Sequence, residues 1–117
     1  MKHLVLLAAL IPAVAHADWY GAEYQQCQGS TLELVLCVNR LTEDWDRRLN
    51  EAYQKRMAES DRPEELRKAQ RLWIAYRDAN CGYYRAGPGS ISAIEAAECM
   101  HTMTRQRATE LEQGSQQ

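Results

Sequence analysis

Residues 31–58 read TLELVLCVNRLTEDWDRRLNEAYQKRMA. Apolar side chains recur there at Leu34, Val38, Leu41, Trp45, Leu49 and Ala52, followed by Tyr53 and Met57. Steps of three and four residues keep one face of a helix turned toward a core. A strand would alternate every second residue, and no segment of the chain sustains that pattern. Ser30-Thr31-Leu32-Glu33 places a hydroxyl at the start and a Glu three residues on, the spacing of a capping box. The run is long, and Thr42 ahead of Glu43-Asp44 is a position where a second segment could begin.

Working outward, Ser60-Asp61-Arg62-Pro63-Glu64 reads as a turn and a new helix start, with proline tolerated in the first turn. The next stripe is Leu66, Ala69, Trp73 and Tyr76, with Cys81 near its end and Gly82 as the predicted stop. Residues 82–91 are rich in glycine and form the predicted loop. Ser92-Ala93-Ile94-Glu95 has capping-box spacing, and a last helix is expected to run to about Gln113. Its inward positions are Ile94, Ala97, Met100 or His101, Thr104, Ala108 and Leu111. The tail from Gly114 is expected to fray. Each stripe is too narrow to be stable alone. The prediction is an all-α fold, a small antiparallel bundle of three to four helices.

The chain has 117 residues, four cysteines and three histidines, and its net charge is −2. Residues 1–17 have a short basic start, an apolar run from Leu4 to Val14 and an Ala15-His16-Ala17 cleavage pattern. This is expected to be a signal peptide, leaving 18–117 as a single domain. The run is too short to span a bilayer. Cleavage would remove Lys2, taking the net charge from −2 to −3, and would leave His101 as the sole histidine. A chain of that charge with no basic cluster is a poor nucleic-acid binder. One histidine cannot build a histidine-rich metal site, so neither a metal nor a cofactor is expected. No cysteine follows the cleavage pattern, so no lipid anchor is expected, and the product would be periplasmic or secreted.

The remaining cysteines are Cys27, Cys37, Cys81 and Cys99, an even count in a small exported domain, which predicts two disulfides. Spacing leaves two schemes open. In the local scheme Cys27 pairs with Cys37 and Cys81 with Cys99. In the crossed scheme the hairpin turns near residue 60, facing positions sum to about 120, and Cys37 meets Cys81.

Several residues are candidates for function. Tyr83, Tyr84 and Arg85, followed by Gly87, Pro88, Gly89 and Ser90, bring two aromatics and an Arg into the 82–90 loop. These types are enriched at binding hot spots. The competing reading is an ordinary helix connector whose glycines satisfy turn geometry. Asp46, Asn50, Gln70 and Arg77 are polar positions near facing surfaces. They are read as an interhelical hydrogen-bond network, with Asn50 opposite Gln70 and Arg77 available to Trp73, Asp46 or Asp78; a polar ligand pocket is the alternative. Trp45, Tyr53 and Trp73 lie on the stripes and are read as core. His101 is read as a packed or surface residue. Glu95 and Glu98 are read as acids favouring the start of the last helix. Oxidised cysteines leave no Cys-His pair, so no enzyme is expected.

The helix pair reads Asp46-x2-Leu49-Asn50-x2-Tyr53, then Leu66-x3-Gln70-x2-Trp73-x3-Arg77-x3-Cys81. Cys99, Arg105 and Leu111 follow, and Cys27 and Cys37 bracket Thr31 and Glu33 upstream. Over roughly residues 25–111 this pattern resembles the lysozyme inhibitor LprI-like family of exported bacterial proteins. The resemblance implies a helical, disulfide-stapled domain. Other members pair a cysteine after the Arg-Asp motif with one close downstream, which implies the local scheme. The family's namesake is a mycobacterial lipoprotein that inhibits lysozyme; this chain departs from it in lacking the lipidation cysteine. The resemblance implies lysozyme as the partner, and together with the loop residues above the leading reading is an exported, non-enzymatic binding protein acting through the 82–90 loop. The alternative is an envelope interaction, stress or immunity-like protein with another partner.

Overall fold

The computed structural model describes residues 21–114, so the expected signal peptide and the last three residues lie outside it. Four helices follow in order: α1 (Gly21–Tyr24), α2 (Thr31–Glu59), α3 (Pro63–Arg85) and α4 (Ile91–Gln113). There is no strand among the described residues. Successive long helices run antiparallel, so α2 and α4 run parallel. Val38 packs with Ala97, and further along Leu49 and Ala52 pack with Ala108 and Leu111. On the other side α3 meets α4 head to tail, with Cys81 bonded to Cys99 and Gln70 beside Arg107.

The central element is α4. It packs along both α2 and α3, which touch each other little. Its sequence allows this because small side chains cover several of its faces. Ala96, Ala97, Thr104 and Ala108 are all buried, alongside Ile94 and Leu111. Of the pair Met100 and His101, the buried one is His101. A helix apolar on one stripe only would have one neighbour; adjacent buried alanines give this one two.

The α2 start is the expected capping box. Glu33 N–H donates to Ser30 Oγ at 3.2 Å, and Ser30 N–H donates to Glu33 Oε1 at 3.3 Å. Gly29, at φ +115°, brings the chain against that Glu33 side chain, where a Cβ would come within 2.8 Å of Oε2. The break considered at Thr42 does not occur. Thr42 Oγ1 donates to the Val38 carbonyl at 3.1 Å, one turn back within a continuous α2.

Three further expectations are corrected. Gly82 does not stop α3, which runs on to Arg85; a single glycine costs a helix only about 1 kcal/mol. Ser92 does not cap α4, which starts at Ile91 and has no side-chain cap bond at Ser90. Its Oγ donates instead to the Gly89 carbonyl at 2.7 Å. On α3, Ala69 and Tyr76 face solvent. The inward row is Leu66, Gln70, Trp73, Arg77 and Cys81, a register in which polar residues replace the expected apolar ones.

Both disulfides are local. Cys27–Cys37 folds the α1 segment back on α2, and Cys81–Cys99 ties the end of α3 to α4. The crossed scheme required α2 and α3 to face each other directly. With α4 packed along both of them, positions summing to 120 do not meet.

Candidate functional site

The seven residues expected to form a binding loop sit together at one end of the bundle, in two kinds of structure. Tyr83, Tyr84 and Arg85 form the last turn of α3, while Gly87, Pro88, Gly89 and Ser90 make the connection into α4. The backbone turns tightly there. Ala86 N–H donates to the Gly82 carbonyl and Gly87 N–H to the Tyr84 carbonyl, each at 3.1 Å. Gly89 has φ +77°, a conformation that favours glycine. Tyr83 is 76% exposed. It stands edge-on to Tyr84, with ring centroids 5.4 Å apart and planes at 77°. The Cys81–Cys99 bond closes the base of this hairpin. Aromatics on a helical turn above a covalent clamp lose little conformational entropy when a partner covers them.

The four polar residues expected to form one network lie in three places. Asn50 Nδ2 donates to Asp46 Oδ2 at 3.3 Å along the exposed face of α2. Gln70 is buried and accepts from Arg107 Nε at 2.9 Å, joining α3 to α4. Arg77 Nε donates to Asp78 Oδ1 at 3.0 Å, and its guanidinium lies over Trp73 at 4.9 Å. Asn50 and Gln70 do not face each other.

A buried polar chain emerges elsewhere, around His101. This residue is 0% exposed and Glu98 is 2% exposed. His101 Nδ1 is 2.9 Å from Glu98 Oε1, and its Nε2 is 3.2 Å from Glu23 Oε2 on α1. Trp45 Nε1 donates to both oxygens of Glu23 at 3.0 Å. Burial pushes the imidazole pKa down, but the hydrogen bond and charge of Glu98, reinforced by Glu23, outweigh it and hold the pKa above the ordinary 6.5. Glu98 therefore does not serve the α4 N-terminus, as its sequence position suggested. Glu98 and His101 have the i, i+3 spacing of helix neighbours, a readable signal. The contact with Glu23, 78 positions away from His101, had none.

With no exposed atom, the imidazole cannot touch a substrate in this state. Its role is to join α1 and α2 to α4. Among the described residues no group of three or more His, Cys, Asp or Glu could hold a metal ion. No helix of the described residues is long and apolar enough to cross a membrane.

Similarity to known proteins covers most of the described residues. The profile of the family described as Lysozyme inhibitor LprI matches residues 22–111, from within α1 to near the end of α4. An uncharacterized protein of Rhizobium meliloti (strain 1021) is 30% identical over 101 residues, covering 72% of this chain and 73% of its own. No solved structure matches the chain.

Proposed function

The chain belongs to the lysozyme inhibitor LprI family, and from that premise we propose that it is an exported, non-enzymatic binding protein that inhibits a lysozyme. Residues 1–17 serve as the export signal, and the domain of residues 18–117 works in the periplasm or outside the cell. The contact surface is the end of the bundle formed by Tyr83, Tyr84, Arg85, Gly87, Pro88, Gly89 and Ser90. One observation carries this reading: a 76% exposed tyrosine stands on a helical turn whose connection to the next helix is clamped by Cys81–Cys99. Exposed aromatics are costly to leave in water and useful at an interface centre. The acidic balance of the chain favours encounter with a cationic enzyme.

The test is a titration of the oxidised protein against lysozymes of several classes, following both binding and muramidase activity. Tight binding with loss of activity is expected for at least one class. The combined Tyr83→Ala, Tyr84→Ala and Arg85→Ala variant should keep its helical circular dichroism and lose inhibition. Undiminished inhibition by that folded variant would move the contact surface elsewhere. Absence of binding to every class would point to a different envelope partner.

A further inference from the structure

A cavity of about 220 Å³ opens between the end of α3 and the start of α4, directly beside the clamped turn. Tyr84, Cys99, Thr102 and Met103 line it, with Glu95 and Glu98. Its size falls below the ~300 Å³ at which small-molecule pockets begin. It suits one long side chain better than a cofactor or a sugar ring. Much of the wall is soft and apolar: the disulfide sulfur of Cys99, the Met103 thioether and the Tyr84 ring. Asn80 turns its amide to those sulfurs, with Nδ2 at 3.5 Å from Cys99 Sγ and 3.3 Å from Met103 Sδ.

The polar part of the wall carries one sign of charge. Glu95 is half-buried and has no hydrogen bond or ion pair among the described residues. Glu98 is 2% exposed, and its Oε2 has no hydrogen-bond partner, while Oε1 is engaged by His101. An apolar channel leading to the Glu95 carboxylate, which has no counter-ion among the described residues, matches an aliphatic stem that ends in a cation.

We propose that this cavity receives a lysine or arginine side chain of the partner protein, the stem lying against Met103, Tyr84 and the Cys99 sulfur and the cation on Glu95. This rests on the reading of the adjacent turn as the partner-binding surface and names the chemistry that the surface recognises.

The test has two arms on the oxidised protein. In the first, n-butylammonium, the lysine side chain in isolation, is titrated while the Met103 methyl resonance is followed, with n-butanol as the neutral control. A saturable shift at millimolar concentration is expected, weakened at least about fivefold in Glu95→Gln, the loss of roughly one exposed-to-half-buried ion pair. In the second, Glu95→Gln is compared with the parent against the lysozyme that the parent inhibits, with about tenfold weaker inhibition expected, as for a lost charge-assisted hydrogen bond. An amine that leaves Met103 unmoved, or moves it as butanol does, overturns the cavity's assignment whether or not lysozyme is inhibited. So does a Glu95→Gln protein that inhibits as well as the parent. Amine binding that depends on Glu95 upholds the cavity even if every lysozyme is left active, in which case only the partner's identity falls.

Discussion

His101 Nδ1 lies 2.9 Å from Glu98 Oε1, one turn earlier on α4, and both side chains are sealed from solvent. On the opposite edge of the ring, Nε2 faces Glu23 from α1 at 3.2 Å. An imidazole between two carboxylates is favoured as the cation once folded, and its pKa is held above 6.5 against the opposing effect of burial. The linkage follows directly. A group whose folded pKa is raised contributes stability that is complete below its unfolded pKa, and that stability is lost as pH rises through the folded pKa. Thermal unfolding midpoints should therefore fall from about pH 6.5 upward, across the window in which the buried imidazolium loses its proton. Glu98→Gln should flatten this fall more than Glu23→Gln, because Glu98 supplies the larger share of the upward shift. Melting curves between pH 5.5 and 8.5 for the three proteins would decide it. A parent midpoint that does not fall over the upper part of that range would show that His101 is not held as the cation.

The two disulfides make separable predictions. Their sequence separations are 10 and 18 residues. Each paired Cys→Ser replacement should cost about 2–4 kcal/mol, and loop-closure entropy makes the Cys81–Cys99 loss the greater by about 0.5 kcal/mol. Their side effects should differ more than their magnitudes. Releasing Cys81 and Cys99 should speed amide exchange at Ala86 and Gly87, whose N–H groups are hydrogen-bonded in the turn. Releasing Cys27 and Cys37 should loosen α1, which carries Glu23, and so reduce the pH dependence set by His101. Chemical denaturation with pH-resolved melting reads both effects.

The inward face of α2 and the outward face of α3 supply a paired contrast. Leu49 is 2% exposed in the main cluster, whereas Tyr76 is 62% exposed. Leu49→Ala should cost about 2–5 kcal/mol through lost burial and the cavity left behind. Tyr76→Ser should stay within about 0.5 kcal/mol, as surface changes do. Both are read from urea midpoints at constant slope.

This contrast also shows what the sequence could reveal. The stripes on α2 and α4 were legible because their apolar residues alternate with charged ones at helical spacing, from Val38 to Leu49 and from Ile94 to Leu111. The Ser30–Glu33 cap was legible because its chemistry is local. On α3 the periodicity misled, since Ala69 and Tyr76 are apolar by type yet face water, while Gln70 and Arg77 take inward positions. Specific partners decide that: Arg107 of α4 offers Gln70 a donor, and the Trp73 ring, one turn back on α3, covers Arg77. The position of α4 along both α2 and α3 was likewise beyond reach of pattern alone, and it is why Asn50 never meets Gln70. Residues 83–90 were legible as a group by composition. The cavity beside them was not, because it needs Tyr84 and Met103 to converge from different helices.

Thr104 is 0% exposed, and its hydroxyl has no hydrogen-bond partner among the described residues. A buried hydroxyl in that condition retains a desolvation cost of about 1–3 kcal/mol. Thr104→Val keeps the branched shape and removes the polar atom. It should raise stability by about 1 kcal/mol, measured by chemical denaturation, and leave the helical spectrum unchanged. A loss of stability would mean that the hydroxyl is engaged in solution.

Arg107 tests what fixes α3 against α4. It is 9% exposed, donates Nε to Gln70 Oε1 at 2.9 Å and pairs Nη1 with Glu110 at 2.7 Å. Arg107→Met keeps much of the aliphatic stem but strips Gln70, itself 7% exposed, of its donor. The single change should cost about 1–3 kcal/mol, the penalty of a buried polar group left without a partner. Gln70→Leu alone should also destabilise, because it leaves the guanidinium without one of its acceptors. The double variant removes both polar groups at once and should recover part of the loss, with a coupling of about 0.5–3 kcal/mol in the double-mutant cycle. Replacing a buried polar pair with apolar groups of similar volume is often neutral or better. If the two costs add with no coupling, the contact does not act as a unit, and the disulfide at the other end of the helices must set their alignment unaided.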